Sequence, residues 1–286
     1  MATFYNQATL SFAGRVTNSN ITEGELVSGI TLTKTAIITD YGPGDRIAYA
    51  VTITNADNVA KSGLTLTDDL GAYTIPGDTS VLVPLTYNNG SLIYYQNGVL
   101  QATPTVTAGP PLTVSGIDIP AGGNVILLYE ATANAFAPLD SGATIINTAT
   151  VSGTTGCEPI SVSTQVETRD EPNLSIAKAV CPQALTCGDE VTYTFIIQNS
   201  GNTAVVATDD LIVSDTFNPI LTGIAVLLNG QPLEATTGYV YDEATGAFTT
   251  VAGAITVPAA TYARDPVTDA VTTTPGVAVL TATGII

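Results

Sequence analysis

The chain has 286 residues, of which 45% are apolar and only 11% charged, and its formal net charge is −18 with no histidine. That length covers two domains with separate cores, and the acidic surface argues against nucleic acid and anionic membranes as partners because both would repel it. Without histidine there is no His-dependent triad and no imidazole for a metal, so the composition predicts a structural protein, not an enzyme, with no cofactor.

In chain order, Met1 to Asn6 carry neither a basic nor an apolar segment, so no signal peptide is expected. Tyr5, Asn6, Ala8 and Leu10 lie in a first predicted strand, and Ile21 and Leu26 in a second that runs directly into the next segment. From there Thr and Val crowd into alternating runs, with turns every ten or so residues. No apolar run approaches the roughly 18 residues of a membrane span.

Comparing the chain with itself reveals a repeat. Gly29-Ile30-Thr31-Leu32-Thr33-Lys34 matches Asn173-Leu174-Ser175-Ile176-Ala177-Lys178. At the same offset, Gly44-Asp45 through Tyr49 to Asn55 matches Gly188-Asp189 through Tyr193 to Asn199. Leu64 to Asp68 matches Leu211 to Asp215, and Val125 to Thr132 resembles Val277 to Thr283. Two antiparallel β-sandwiches are expected, an all-β fold.

The first repeat continues through Ile145 to Ser152 and Ile160 to Val166, whereas the second stops at Ile286, where those two strands should begin. Tyr5 to Ser11 matches Ile146 to Ser152. The layout is therefore donor strands at 1–27, a complete β-sandwich at 28–170, and an incomplete one at 171–286. A ten-residue strand spans roughly 33 Å, and the connector from Val27 to Ile30 reaches only about 10 Å. The donor pair is thus expected to enter another copy, a heterologous contact that propagates as a filament. The competing expectation is a hairpin capping the first domain.

Two of the three lysines, Lys34 and Lys178, hold equivalent places, each on the inward face of its strand. A lone buried ammonium is costly, so the amine should be driven neutral and nucleophilic. With Asp68 as acid and Asn147 as amide, Lys34 has the partners for a spontaneous isopeptide bond with loss of ammonia. The equivalent set in the second repeat is Lys178, Asp215 and Asn6 of the next molecule. Glu130 is another candidate acid, with Thr281 at its counterpart. Lysines simply paired with aspartates are the alternative. Asp68-Asp69 and Asp209-Asp210 lack loop-ligand spacing for calcium and read as turn carboxylates. Cys181 and Cys187 could staple a turn, leaving Cys157 for an intermolecular partner, or all three could remain thiols.

The segments Leu32-Thr33-Lys34, Gly44-Asp45 to Tyr49 to Asn55, Leu66-Thr67-Asp68, Ile119-Pro120-Ala121-Gly122 and Asn147-Thr148-Ala149-Thr150-Val151 resemble a known family. It is the Ig-like conserved repeat of bacterial surface proteins catalogued as domain of unknown function eleven. The resemblance implies extracellular structural work. In its 29.2 kDa mass and duplicated layout the chain is also similar to the appendage proteins of clostridial endospores. Release by lysis of a mother cell would dispense with a signal peptide. The expected partners are copies of the chain itself and paralogous subunits. A loop-binding surface adhesin, using Tyr87, Tyr94, Tyr95, Tyr239, Tyr241 and Tyr262, is the alternative.

Overall fold

The computed structural model describes every residue except 1, 27–28, 76, 78, 154–158 and 185. Val27 and Cys157 therefore lie outside the described residues. The chain is all-β and divides into two compact units, Met1–Pro138 with Ala143–Thr168, and Leu139–Gly142 with Arg169–Ile286.

The N-terminal segment of unit 1 is a hairpin of four short strands, β1 (Ala2–Asn6), β2 (Thr9–Phe12), β3 (Arg15–Asn18) and β4 (Thr22–Leu26). β1 pairs with β4, and β2 with β3. Ala13 and Gly14 both adopt positive φ (47° and 76°) at the tip, the backbone a two-residue hairpin turn needs to follow strand twist. Gly24 sits under the Phe4 ring, where a Cβ would lie 2.5 Å from it. Between the two ladders the Ser19 hydroxyl accepts from the Ala8 amide at 2.9 Å, and the Gln7 amide nitrogen donates to the Ser19 carbonyl at 2.8 Å. Among the described residues these strands pair only with one another.

The rest of unit 1 is a two-sheet sandwich. One sheet contains β5 (Ile30–Ala36), β6 (Arg46–Asn55) and β9 (Asn124–Ala133); the other contains β7 (Lys61–Asp68), β8 (Leu112–Ile119), β10 (Thr144–Ser152) and β11 (Ile160–Thr168). The order β5-β6-β9 against β7-β10-β11 is that of immunoglobulin-like sandwiches, with A, B and E in one sheet and C, F and G in the other. Strict alternation sends Ile47, Tyr49, Val51 and Ile53 of β6, and Val125, Leu127 and Tyr129 of β9, into the core. Each large apolar side chain buried this way contributes about 1.5–3 kcal/mol.

Unit 2 repeats this plan in part. β12 (Leu174–Cys181), β13 (Glu190–Asn199) and β17 (Gly276–Ile285) stand for β5, β6 and β9, and β15 (Thr222–Leu228) pairs with the far side of β17. β14 (Ser214–Thr216), the counterpart of β7, pairs with β16 (Ala247–Thr250). Its other side, where β10 lies in unit 1, carries no strand among the described residues. The core that remains is built on Val191, Phe195, Phe217, Phe248 and Leu280.

Candidate functional site

Register defines the equivalence of the two lysines. Lys34 lies opposite Val51 and Lys178 opposite Phe195, the same place on the same pair of strands. In unit 1 both Lys34 and Asp68 have fully buried side chains, with Nζ 2.7 Å from Asp68 Oδ2. Burial pulls the Lys34 amine below its ordinary value, and the neighbouring Asp68 charge opposes that shift. Asp68 Oδ1 accepts from the Leu70 amide at 3.0 Å, and Oδ2 also accepts from the Tyr129 hydroxyl. That hydroxyl in turn accepts from Asn147 Nδ2 at 3.4 Å. Lys34, Asp68 and Asn147 thus meet in one buried cluster, together with Tyr129, which sequence reasoning missed. Asn147 Oδ1 is buried with no hydrogen bond. Tyr49 interacts with Asn147, though its hydroxyl makes no hydrogen bond of normal geometry.

Glu130 does not join the cluster. It points to the other face of β9, part-exposed and 3.8 Å from Arg46, because successive residues on a strand face opposite ways. Its expected counterpart also shifts: β9 and β17 share no motif to fix their alignment, and register places Thr283, not Thr281, across from the residue equivalent to Ala48.

In unit 2, Lys178 pairs with Asp215, but the lysine side chain is 41% exposed and the aspartate 19%. Nζ stands over the rings of Tyr193 (4.6 Å), Phe195 (5.5 Å) and Phe217 (5.6 Å). Along the same strand, Ile176 is 57% exposed where Leu32 is 9%, and Leu174 is 40% exposed where Ile30 is 4%. Ile212, beside β14, is exposed as well. This apolar strip lies where β10 and β11 cover unit 1. An exposed, unpaired apolar edge of this kind invites strand pairing.

The hairpin can be compared with β10 and β11 position by position. In unit 1 Asn147 pairs with Thr164, and in the hairpin Asn6 pairs with Thr22, so the two ladders share one register around the asparagine. The buried positions of β10 are Ile145, Asn147, Ala149 and Val151; the hairpin residues in those places are Phe4, Asn6, Ala8 and Leu10. Phe4 and Leu10 are exposed, as are Tyr5, Phe12, Val16 and Ile21. Leu26 ends β4. Tyr5 faces away from Asn6 and bonds its hydroxyl to Glu23 at 3.5 Å, so Phe4, not Tyr5, shares the face of Asn6. An isolated two-stranded hairpin is marginal in water, and this one displays a row of uncovered apolar side chains.

The remaining candidates are placed elsewhere. Of the two readings, Cys181 and Cys187 follow the second and are both exposed free thiols. Asp69 Oδ1 accepts from the Gly71 amide and Asp209 Oδ2 from the Val206 amide, both at 2.8 Å, as turn carboxylates do. Tyr87, Tyr94 and Tyr239 are buried in the cores. Tyr241 packs on Phe217, and Tyr262 donates to the Ser200 carbonyl at 3.0 Å. Tyr95 is part-buried in the strand Ile93–Gln96.

No family model and no curated protein matches the chain. Among solved structures, the major pilin subunit BcpA of Bacillus cereus is 14% identical over 96% of this chain and 73% of its own, with a TM-score of 0.36. The major pilin SpaD of Corynebacterium diphtheriae is 15% identical over 85% of this chain and 58% of its own, at 0.35. The collagen-binding subdomain of the Enterococcus faecalis surface protein ACE is 9% identical over 48% of this chain and 95% of its own, at 0.31.

Proposed function

We propose that this chain is the structural subunit of an extracellular filament, polymerising head to tail as the hairpin of one copy fills the open edge of unit 2 in the next. One observation carries the reading: equivalent positions are buried under β10 and β11 in unit 1 and exposed in unit 2, while the hairpin holds the matching side chains uncovered. The connector from Leu26 to Ile30 spans about 14 Å at most, which keeps the hairpin beside the start of β5. A donated strand gains main-chain hydrogen bonds along its length and fills alternate pockets with its side chains. Because donor and acceptor surfaces differ, the contact does not close on a dimer.

Within each subunit Lys34 and Asn147 condense to an isopeptide bond, and docking brings Asn6 to the equivalent place beside Lys178. The resemblance to the repeat catalogued as domain of unknown function eleven fits this work. The likeness to endospore appendage proteins supports a location on a spore or cell surface. The reading is tested by removing residues 1–26 and imaging the product by negative stain. The full chain is expected to form filaments and the shortened chain only folded monomers. Filaments formed equally well without the hairpin would overturn it.

A further inference from the structure

The cluster in unit 1 contains an unbroken hydrogen-bonded path from the amine that would attack to the nitrogen that would leave. It runs from Lys34 Nζ to Asp68 Oδ2 at 2.7 Å, from there to the Tyr129 hydroxyl, and on to Asn147 Nδ2 at 3.4 Å. We propose that Tyr129 is the proton relay of the Lys34–Asn147 condensation, a catalytic residue that the junction at Lys178 lacks. This rests on the isopeptide reading above and goes beyond it by naming what moves the protons.

A proton passes from the Lys34 ammonium to Asp68, leaving a neutral amine and a neutral acid. Nζ bonds to Cγ of Asn147, and the carbonyl electron pair moves transiently onto Oδ1 until the leaving nitrogen is protonated and the carbonyl re-forms. Asp68 gives its proton to the Tyr129 oxygen as Tyr129 gives its own to Nδ2, and the Asp68 carboxylate takes one from Nζ. The Cγ–Nδ2 bond breaks and ammonia leaves. The products are an amide, ammonia and a protonated Asp68, with no oxidant or co-reactant. Burial, and then the Asp68 charge, hold the Tyr129 hydroxyl well above its ordinary pKa, so it keeps its proton except in such a concerted exchange.

The same strands in unit 2 provide no hydroxyl at this place. Tyr129 lies across from Tyr49, and the residue across from Tyr193, the Tyr49 equivalent, is Ala282. Phe217 takes over the stacking: its ring lies 4.9 Å from Tyr193, as that of Tyr129 lies 5.4 Å from Tyr49. Shape is conserved there but the proton path is not. On the hairpin, the tyrosine next to Asn6 points to the opposite face. The internal bond therefore forms quickly, and the junction bond lags behind it.

The test follows the intact mass of the full chain over time after cell-free synthesis. The wild type is expected to become lighter by one ammonia, and Tyr129→Phe to do so about 100-fold more slowly or beyond, the usual worth of a positioned acid–base group. Tyr73→Phe, which removes a hydroxyl bonded to the Phe136 carbonyl at 2.6 Å in the same unit, should react at the wild-type rate. A folded Tyr129→Phe chain that loses ammonia as fast as the wild type overturns the relay. A wild type that never loses ammonia overturns the bond itself. Should Tyr129→Phe fail to fold, wild-type filaments boiled in detergent decide the matter. Monomers already short of one ammonia support the relay, and junctions cross-linked as completely as unit 1 contradict it.

Discussion

A chain carrying Phe4→Asp and Leu10→Asp in its hairpin is expected to remain monomeric, as is a chain carrying Ile176→Asp in unit 2, yet the two together should form dimers and nothing longer. The first variant retains an open acceptor edge but donates a strand with two carboxylates on the face that must be buried. Burying an unpaired carboxylate costs several kcal/mol, more than the gain of about 1.5–3 kcal/mol from each apolar anchor it replaces. The second variant places the charge in the acceptor, on a residue 57% exposed when the edge is open. Each mixed dimer uses the one intact donor and the one intact acceptor, and both remaining ends are dead. Analytical ultracentrifugation distinguishes this from a symmetric interface, in which the mixture would behave like its components. Filaments from either variant alone would sink the proposed contact.

The second large effect is on stability. Asp68→Asn should remove all ammonia loss and lower the stability of unit 1 by about 3–5 kcal/mol, because it leaves the buried Lys34 without a counter-charge. For a unit of this size that corresponds to a fall of roughly 6–20 °C in Tm. The equivalent Asp215→Asn in the unpolymerised chain should cost only about 0–1 kcal/mol, since Lys178 is 41% exposed and its pair is weakened by water. Calorimetry of both variants is the check. Equal losses would mean that the two lysine sites do not differ as their burial suggests.

Much of this arrangement can be read in the sequence, for identifiable reasons. Strand alternation is strict, so Ile30, Leu32 and Lys34 share a face with no need of coordinates. The repeated Gly-Asp and Tyr positions fix the alignment of β5 and β6 with β12 and β13, and the lysine equivalence follows from it. Tyr129 is invisible by the same logic, because a hydroxyl adds no charge, while the acidic Glu130 beside it suggests a role that its outward face denies. Phe4 is hidden because the match to Asn147 begins one residue later, at Tyr5, which points the other way. The exposure of Ile176, whose counterpart Leu32 is buried, agrees with the sequence expectation of an incomplete second sandwich. That difference follows from β10 and β11, which cover this face in unit 1 and have no paired counterpart on β14 among the described residues of unit 2.

The most direct measurement of the central claim is cross-linking of filaments assembled from equal amounts of unlabelled and heavy-nitrogen-labelled chain. Peptides joining residues 2–26 to unit 2 should contain one light and one heavy partner in about half of all cases, as random mixing between molecules requires. Cross-linked peptides that are always both light or both heavy would mean that each hairpin folds onto its own chain, and would contradict strand donation.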